Sequence, residues 1–223
     1  MAANFSIEHV IDRPMDHCLY QGLQMSSAKT SMLVFGEDWG GHPSSTQHLI
    51  RHLSHEYDVT WINSLGLRSP RFSRHDFRRL LHKAKSMSAA QNGQSGVTPF
   101  PVKTVKAVPF YGRPWWDAIN RQLIRSSLRS ETTTESDRLL WTSLPTALPI
   151  IGHYREKGVI YYCGDDFSSL AGVDHATVTR MEKKLVARAD LVLVASETLA
   201  EKFPGQNVHL VAHGVDHALH LGG

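Results

Sequence analysis

A doubly wound α/β domain, with a mostly parallel sheet of about seven strands and helices on both faces, is what this sequence predicts. Three observations carry that prediction. Short apolar, β-rich runs recur along the chain, and segments with apolar residues three and four apart lie between them. The runs are apolar throughout rather than alternating, as strands covered on both faces are. The clearest unit is residues 159–199, VIYYCGDDFSSLAGVDHATVTRMEKKLVARADLVLVASETL. Its first apolar run, 159–163, is followed by Val178, Met181 and Leu185 at helical spacing, and then by a second run, 191–195. Strand, helix, strand is a βαβ unit.

The other elements follow in order. Residues 1–29 are polar and irregular, as a loosely attached arm would be. Residues 32–36 form the first strand candidate and run into Glu37-Asp38-Trp39-Gly40-Gly41-His42-Pro43. Ser44 opens a helix, with Gln47 three residues on as a capping box; Leu49, Ile50, Leu53 and Tyr57 form its apolar face. Residues 59–62 read as the second strand, 86–98 as a polar loop and 102–108 as the third strand. A helix then runs through Ile119, Leu123 and Leu128, a polar break covers 130–137, and 139–142 is a short strand. Pro145 opens a helix expected over 146–154. Asp174 is placed to cap the helix of the βαβ unit, and Ser196 to cap one over 197–203. The last strand is expected at 208–212, before His213-Gly214-Val215-Asp216. The reading is an arm over 1–29, one Rossmann-like domain over 30–217, and the start of a linker or tail over 218–223.

Composition narrows the function classes. Of 223 residues, 41% are hydrophobic, which is enough for a buried core. The formal charge of +3 gives no general case for nucleic acid, which is not an expected partner. The two cysteines, Cys18 and Cys163, lie far apart, which fits a reducing compartment rather than a disulfide framework. No apolar run approaches the roughly 18 residues of a membrane span, and the first residues do not read as a secretory signal. A cytoplasmic location is expected.

In parallel sheets ligands bind beyond the carboxyl ends of the strands. Asp165 and Asp166 close the strand at 159–163. Two carboxylates so close can raise one pKa toward the working range of a base; capping or turn formation is the plainer use of either. Gly40 and Gly41 lie between a strand and a helix N-terminus, where backbone N–H groups can meet a phosphate. A tight turn is the plainer reading there, and the pattern is not G-x-G-x-x-G. His42, in the same loop, is a candidate general base. His48 and His52 are spaced to share a metal, but no HExxH or acidic partner accompanies them, and no metal is expected.

Two segments are cationic. In the first, Arg71, Arg74, Arg78 and Arg79 are interleaved with Phe72, Phe77, Leu80 and Leu81. In the second, Trp115-Trp116 lead into a helix with Arg121, Arg125 and Arg129. Mixed arginines and aromatics suit an anionic membrane surface, and equally a phosphorylated lipid or nucleic acid.

The ordered set GEDWGGHPSS, YYCGDDFSSL, ARADLVLVASETLAEKF and HLVAHGVD resembles the N-terminal half of the GT-B glycosyltransferases. It is most similar to bacterial enzymes of glycosyltransferase families 1 and 4, over residues 31–217. The resemblance implies an acceptor-side domain acting in cell-surface polysaccharide or glycolipid assembly. A nucleotide sugar would be the co-substrate, with no other cofactor, and a sugar or lipid-linked molecule the acceptor. It implies that Asp165 faces the acceptor as a base, and that the loop of Gly40, Gly41 and His42 faces the interdomain cleft, near donor phosphates and acceptor. In the family the Gly-Val-Asp segment leads into a donor domain. Here that half is expected to be absent, so the chain alone is expected to transfer no sugar and to need a separate donor domain. Membrane contact at the inner face of the plasma membrane fits the same resemblance. The alternative is a non-catalytic binding module, a truncated or split relative that contacts membrane, acceptor or a partner.

Overall fold

The structure, a computed structural model, describes residues 29–41, 44–63, 98–108, 110–129, 138–168, 174–205 and 207–211. His42, Arg71, Arg74, Arg78 and Arg79, and nearly all of the arm expected over 1–29, lie outside the described residues. So does the His213-Gly214-Val215-Asp216 segment.

Among the described residues, seven strands form one sheet: β1 (Ser31–Gly36), β2 (Asp58–Asn63), β3 (Val102–Thr104), β4 (Arg138–Thr142), β5 (Glu156–Cys163), β6 (Leu191–Val194) and β7 (Val208–Leu210). Their spatial order is β3-β2-β1-β4-β5-β6-β7, and every pairing is parallel. This is the predicted doubly wound α/β architecture. The chain moves outward from β1 in one direction through β2 and β3, then returns to the other side of β1 as β4. The order therefore reverses between β1 and β4, and the crevice at that switch point is where such sheets receive ligands.

The helices are α1 (Ser45–Leu53), α2 (Pro114–Ser127), a 3-10 helix (Pro145–Ile150), α3 (His175–Val186) and the single turn α4 (Glu197–Ala200). Right-handed crossovers in opposite directions put α1 and α3 on opposite faces of the sheet. On the α3 side, Tyr161 of β5 meets Glu182 of α3 and the ring of Phe203. Trp61, Trp141 and Tyr162 share the other face by strand register, and all three are fully buried. Each such large apolar side chain contributes on the order of 1.5–3 kcal/mol on burial.

Local chemistry sets the helix boundaries. The Ser44, Asp174 and Ser196 side chains accept the N–H groups of Gln47, Thr177 and Leu199, so all three expected caps are in place. The Gln47 side chain also reaches back. Its amide oxygen takes the Gly40 N–H and its amide nitrogen donates to Glu37, ordering the preceding loop.

Three expected elements are shorter or different. The third strand ends at Thr104 rather than continuing to 108, because the Val108 N–H bonds the Asn120 side chain instead of a neighbouring strand. The helix expected over 146–154 is six residues of 3-10 helix: Pro149 has no N–H to give, and Gly152 and Arg155 adopt positive φ. The turn expected to reach 203 stops at Ala200 as regular α-helix.

Candidate functional site at the carboxyl edge of the sheet

The loop after β1 is built from its own side chains. The Trp61 ring lies against Gly36, where a Cβ would come within 2.4 Å of it. The Trp61 indole N–H reaches the Glu37 carbonyl and the Asn63 amide oxygen, each at 3.0 Å. Asn63 also accepts the Trp39 N–H at 3.0 Å. Trp39 packs edge-on against Trp61 and Phe100, with centroids 4.9 and 4.8 Å apart. The Glu37 carboxylate accepts the Ser44 hydroxyl and the Gln47 amide.

Gly40 and Gly41 serve this loop. The Gly40 N–H donates to Gln47 at 3.2 Å, and the Gly41 N–H donates to the Asp38 carbonyl at 3.1 Å. Gly40 has φ +76°, a conformation that only glycine adopts freely. Both N–H groups that a phosphate would need are thus turned inward, and the Glu37 carboxylate lies beside the start of α1. Negative charge there favours the helix dipole and opposes a second anion.

At the far side of the switch point, Ser143 follows β4 and donates its N–H to the Phe35 carbonyl at 3.1 Å. Its buried hydroxyl, and the buried indole N–H of Trp141 two residues earlier, have no hydrogen-bond partner among the described residues. Trp141 stacks on Tyr162, with centroids 6.0 Å apart. Burial raises the Tyr162 phenol above its ordinary pKa. The Ser45 hydroxyl beside it works the other way, and the negative charges of Asp165 and Glu37 add to the rise. Tyr162 therefore stands where the first turn of α1 and the loops after β1 and β5 converge.

The two aspartates after β5 have different surroundings. The Asp165 side chain is exposed, and its carboxylate has no hydrogen-bond partner among the described residues. Asp166 is tied down. It accepts Lys202 at 2.7 Å, and the Ser168 hydroxyl and N–H at 2.8 and 3.1 Å. Those bonds hold its pKa down at about 2. The expected rise from a neighbouring carboxylate is therefore not found at Asp166, because the bonds from Lys202 and Ser168 favour its charged form.

Lys202 leads into the interior. It also reaches Glu182, 3.4 Å away, which is buried on α3. Glu182 accepts the Tyr161 hydroxyl at 2.7 Å and the Cys163 thiol at 3.7 Å. Burial, reinforced by Glu182, pushes the Cys163 thiol up to about 12 and Tyr161 well above its ordinary range. Burial alone would lower Lys202; Asp166 and Glu182 outweigh it and keep the ammonium charged.

No protein-family model matches this chain, and no curated protein matches it. Among solved structures, the crystal structure of Acinetobacter baumannii MurG matches with a TM-score of 0.46 and 13% sequence identity. The match covers 84% of this chain and 46% of that one, so the chain spans less than half the length of the structure it matches.

The carboxyl edge thus brings together Trp39, Glu37, Asp38, Ser45, Ser143, Tyr162, Asp165 and Asp166. Of the sequence candidates, Gly40, Gly41, Asp165 and Asp166 lie at this edge. Trp115, Trp116, Arg121 and Arg125 belong to α2. Sequence reasoning missed Tyr162, Lys202 and Glu182. Glu182 was findable: it is four residues after Val178 and three before Leu185, which puts a carboxylate on the apolar stripe of α3. Among the described residues, no cluster of three or more His, Cys, Asp or Glu side chains is placed to hold a metal.

Proposed function

We propose that this chain is the acceptor-binding half of a nucleotide-sugar-dependent glycosyltransferase acting in cell-surface polysaccharide or glycolipid assembly. One observation carries the reading: the switch-point edge presents carboxylates, hydroxyls and a half-buried tryptophan face, while the glycine N–H groups that would cradle a phosphate are used inside the loop. Carboxylate oxygens accept hydrogen bonds from sugar hydroxyls, and Trp39 offers an apolar face to a sugar ring. Glu37, Asp38 and Asp165 disfavour a diphosphate there, and the nearby cations are engaged, Arg51 over the Trp39 ring at 5.7 Å and Lys202 on Asp166 at 2.7 Å. An acceptor sugar suits it better than a donor nucleotide, and Gly40 and Gly41 act as part of an acceptor loop. The ordered motifs that resemble the GT-B enzymes support the same assignment.

In this reading Asp165 is the base. Its lone pairs are free and its side chain is exposed, whereas Asp166 is held as a weakly basic carboxylate by Lys202. Asp165 takes the proton of the acceptor hydroxyl as that oxygen bonds the anomeric carbon of a nucleotide sugar held by a donor domain; the bond from that carbon to the diphosphate oxygen breaks, and the nucleoside diphosphate leaves with its electron pair. Close placement of the two reactants supplies most of the acceleration.

The test has two parts. Trp39 fluorescence should respond saturably to glycans or lipid-linked sugars, and not to UDP- or GDP-sugars. In a version carrying a donor domain, Asp165→Asn should lower turnover by roughly 10²–10⁴-fold with little change in melting temperature. Near-wild-type turnover in Asp165→Asn would remove the base assignment. Tight binding of a nucleotide sugar by this chain, with no response to any glycan, would overturn the acceptor reading.

A further inference from the structure

We propose that the amino-terminal edge of the sheet carries a second site, for a phosphate-type anion, formed by Arg121, Arg125, Arg188 and His153 next to the buried Arg138. These residues come from four places: α2 supplies Arg121 and Arg125, the loop before β5 supplies His153, the turn after α3 supplies Arg188, and β4 begins with Arg138. The site does not depend on the acceptor reading, which concerns the opposite edge of the sheet.

Arg138 is the anomaly that points to it. Its residue exposure is 3%. One guanidinium nitrogen donates to the Tyr154 carbonyl at 3.2 Å, Nε has no acceptor, and no carboxylate among the described residues pairs with it. A buried charge normally carries a counter-charge or a full set of hydrogen bonds. The buried hydroxyl of Tyr154, the residue whose carbonyl Arg138 holds, is also without a partner among the described residues.

The positive charge continues to the surface. An Arg121 guanidinium nitrogen lies 3.4 Å from His153 Nε2, which as a neutral imidazole can accept its N–H. Arg125 and Arg188 are exposed, and their charges also act on His153; Arg125 acts on Tyr154 as well. Among the described residues, Glu156 is the carboxylate whose charge acts on both, and its two oxygens already accept the Gly152 and Tyr154 N–H groups. Burial first, and then Arg121 and Arg125, push the His153 imidazole below its ordinary pKa.

Four guanidinium groups with one occupied carboxylate are repulsive when empty and attractive to an anion. The planar guanidinium forks match the oxygens of a phosphate, which they can grip two at a time. Free phosphate and the phosphomonoester headgroup of a lipid share that chemistry.

His153 reports on the site. Its pH titration is followed by NMR in the full chain, in inorganic phosphate and in chloride at matched ionic strength, with His48, His52 and His55 as internal references. Phosphate should raise the His153 pKa saturably by about 1 unit, because an anion now faces the imidazole. The rise should vanish in Arg125→Gln/Arg188→Gln, whose two positions are exposed. A second arm sediments the protein with phosphatidylcholine vesicles, with and without phosphatidic acid. Binding that needs phosphatidic acid and both arginines, without a free-phosphate response, identifies the source as a headgroup and supports the site. No response in either arm, or a response that survives in the double variant, overturns it.

Discussion

Lys202 shows how one side chain divides two neighbouring aspartates. Its ammonium is shared by Asp166 at the surface and Glu182 in the interior. Lys202→Met keeps most of the stem and removes the charge, leaving Glu182 buried without a counter-charge. We expect that variant to lose about 2–4 kcal/mol in chemical denaturation, and Lys202→Met/Glu182→Gln to recover most of the loss. A single variant within about 0.5 kcal/mol of wild type, inside the range of an exposed ion pair, would show that the charge on Lys202 contributes little. The Asp166 share has a defined pH window. Its folded pKa lies below the ordinary value of about 3.9, so its contribution is complete above about pH 4 and is lost as pH falls toward 2. The Asp166 side chain is 40% exposed, and solvent screening keeps that share to roughly 0.5–1 kcal/mol. The Asp165-Asp166 pair was legible in the sequence as a strand ending in carboxylates. Its division into a free and an anchored member was not, because the anchoring lysine lies 36 positions away.

Between elements, the junction of α2 and α3 turns on Gly112. Its φ is +76°, and a Cβ there would come 2.2 Å from the Thr177 methyl at the start of α3. Its N–H donates to Asp117 at 2.9 Å, and its carbonyl accepts Arg180 at 3.2 Å. Gly112→Ala combines left-handed strain with a steric clash and should cost about 2–4 kcal/mol. Gly152→Ala is the control, since φ there is +86° but nothing lies within 4 Å of the added carbon. Strain alone should make that change cost about 1 kcal/mol. Equal losses at the two positions, read from denaturant midpoints, would mean that the close approach of α2 and α3 is not what fixes Gly112. Elements with local causes were legible in the sequence: the caps at Ser44, Asp174 and Ser196, and the uninterrupted apolar strands. The truncated ones had tertiary causes. No local pattern announces that Asn120 will take the Val108 N–H away from the third strand.

On the scale of the whole molecule, the described residues give the two sheet edges different chemistry, carboxylates and aromatics at the carboxyl end and arginines at the amino end. The outward side of α2 adds a third surface. Trp115 and Ile119, 52% and 39% exposed, lie one turn apart, with Arg113 before them. Trp115 stacks on Trp116, and Trp116 on Phe110, which holds the exposed ring in place. Among the described residues, no helix is long and apolar enough to cross a membrane, but this patch has the composition of a surface contact. Sedimentation with phosphatidylglycerol vesicles should therefore exceed that with neutral vesicles. It should weaken as salt screens the charges, and fall severalfold in Trp115→Ala/Ile119→Ala. Equal sedimentation by the variant would release α2 from that role. The sheet order itself was legible only as a class. Alternating strands and helices fix a doubly wound sheet, but the position of the switch point depends on where β4 returns, more than 100 residues after β1.

The sheet also tapers. Among the described residues, its inner strands run from four to eight residues, and the two outermost, β3 and β7, are three residues each. An open sheet has two rims of unsatisfied N–H and C=O groups, and a long straight rim is a template on which another extended chain can add. A three-residue rim offers only a few such groups. Docking of another chain there would gain few hydrogen bonds against the entropy lost in ordering the newcomer. The narrow outer strands thus work against growth of the sheet from one molecule into the next, and leave its ends, rather than its sides, as the surfaces that meet other molecules.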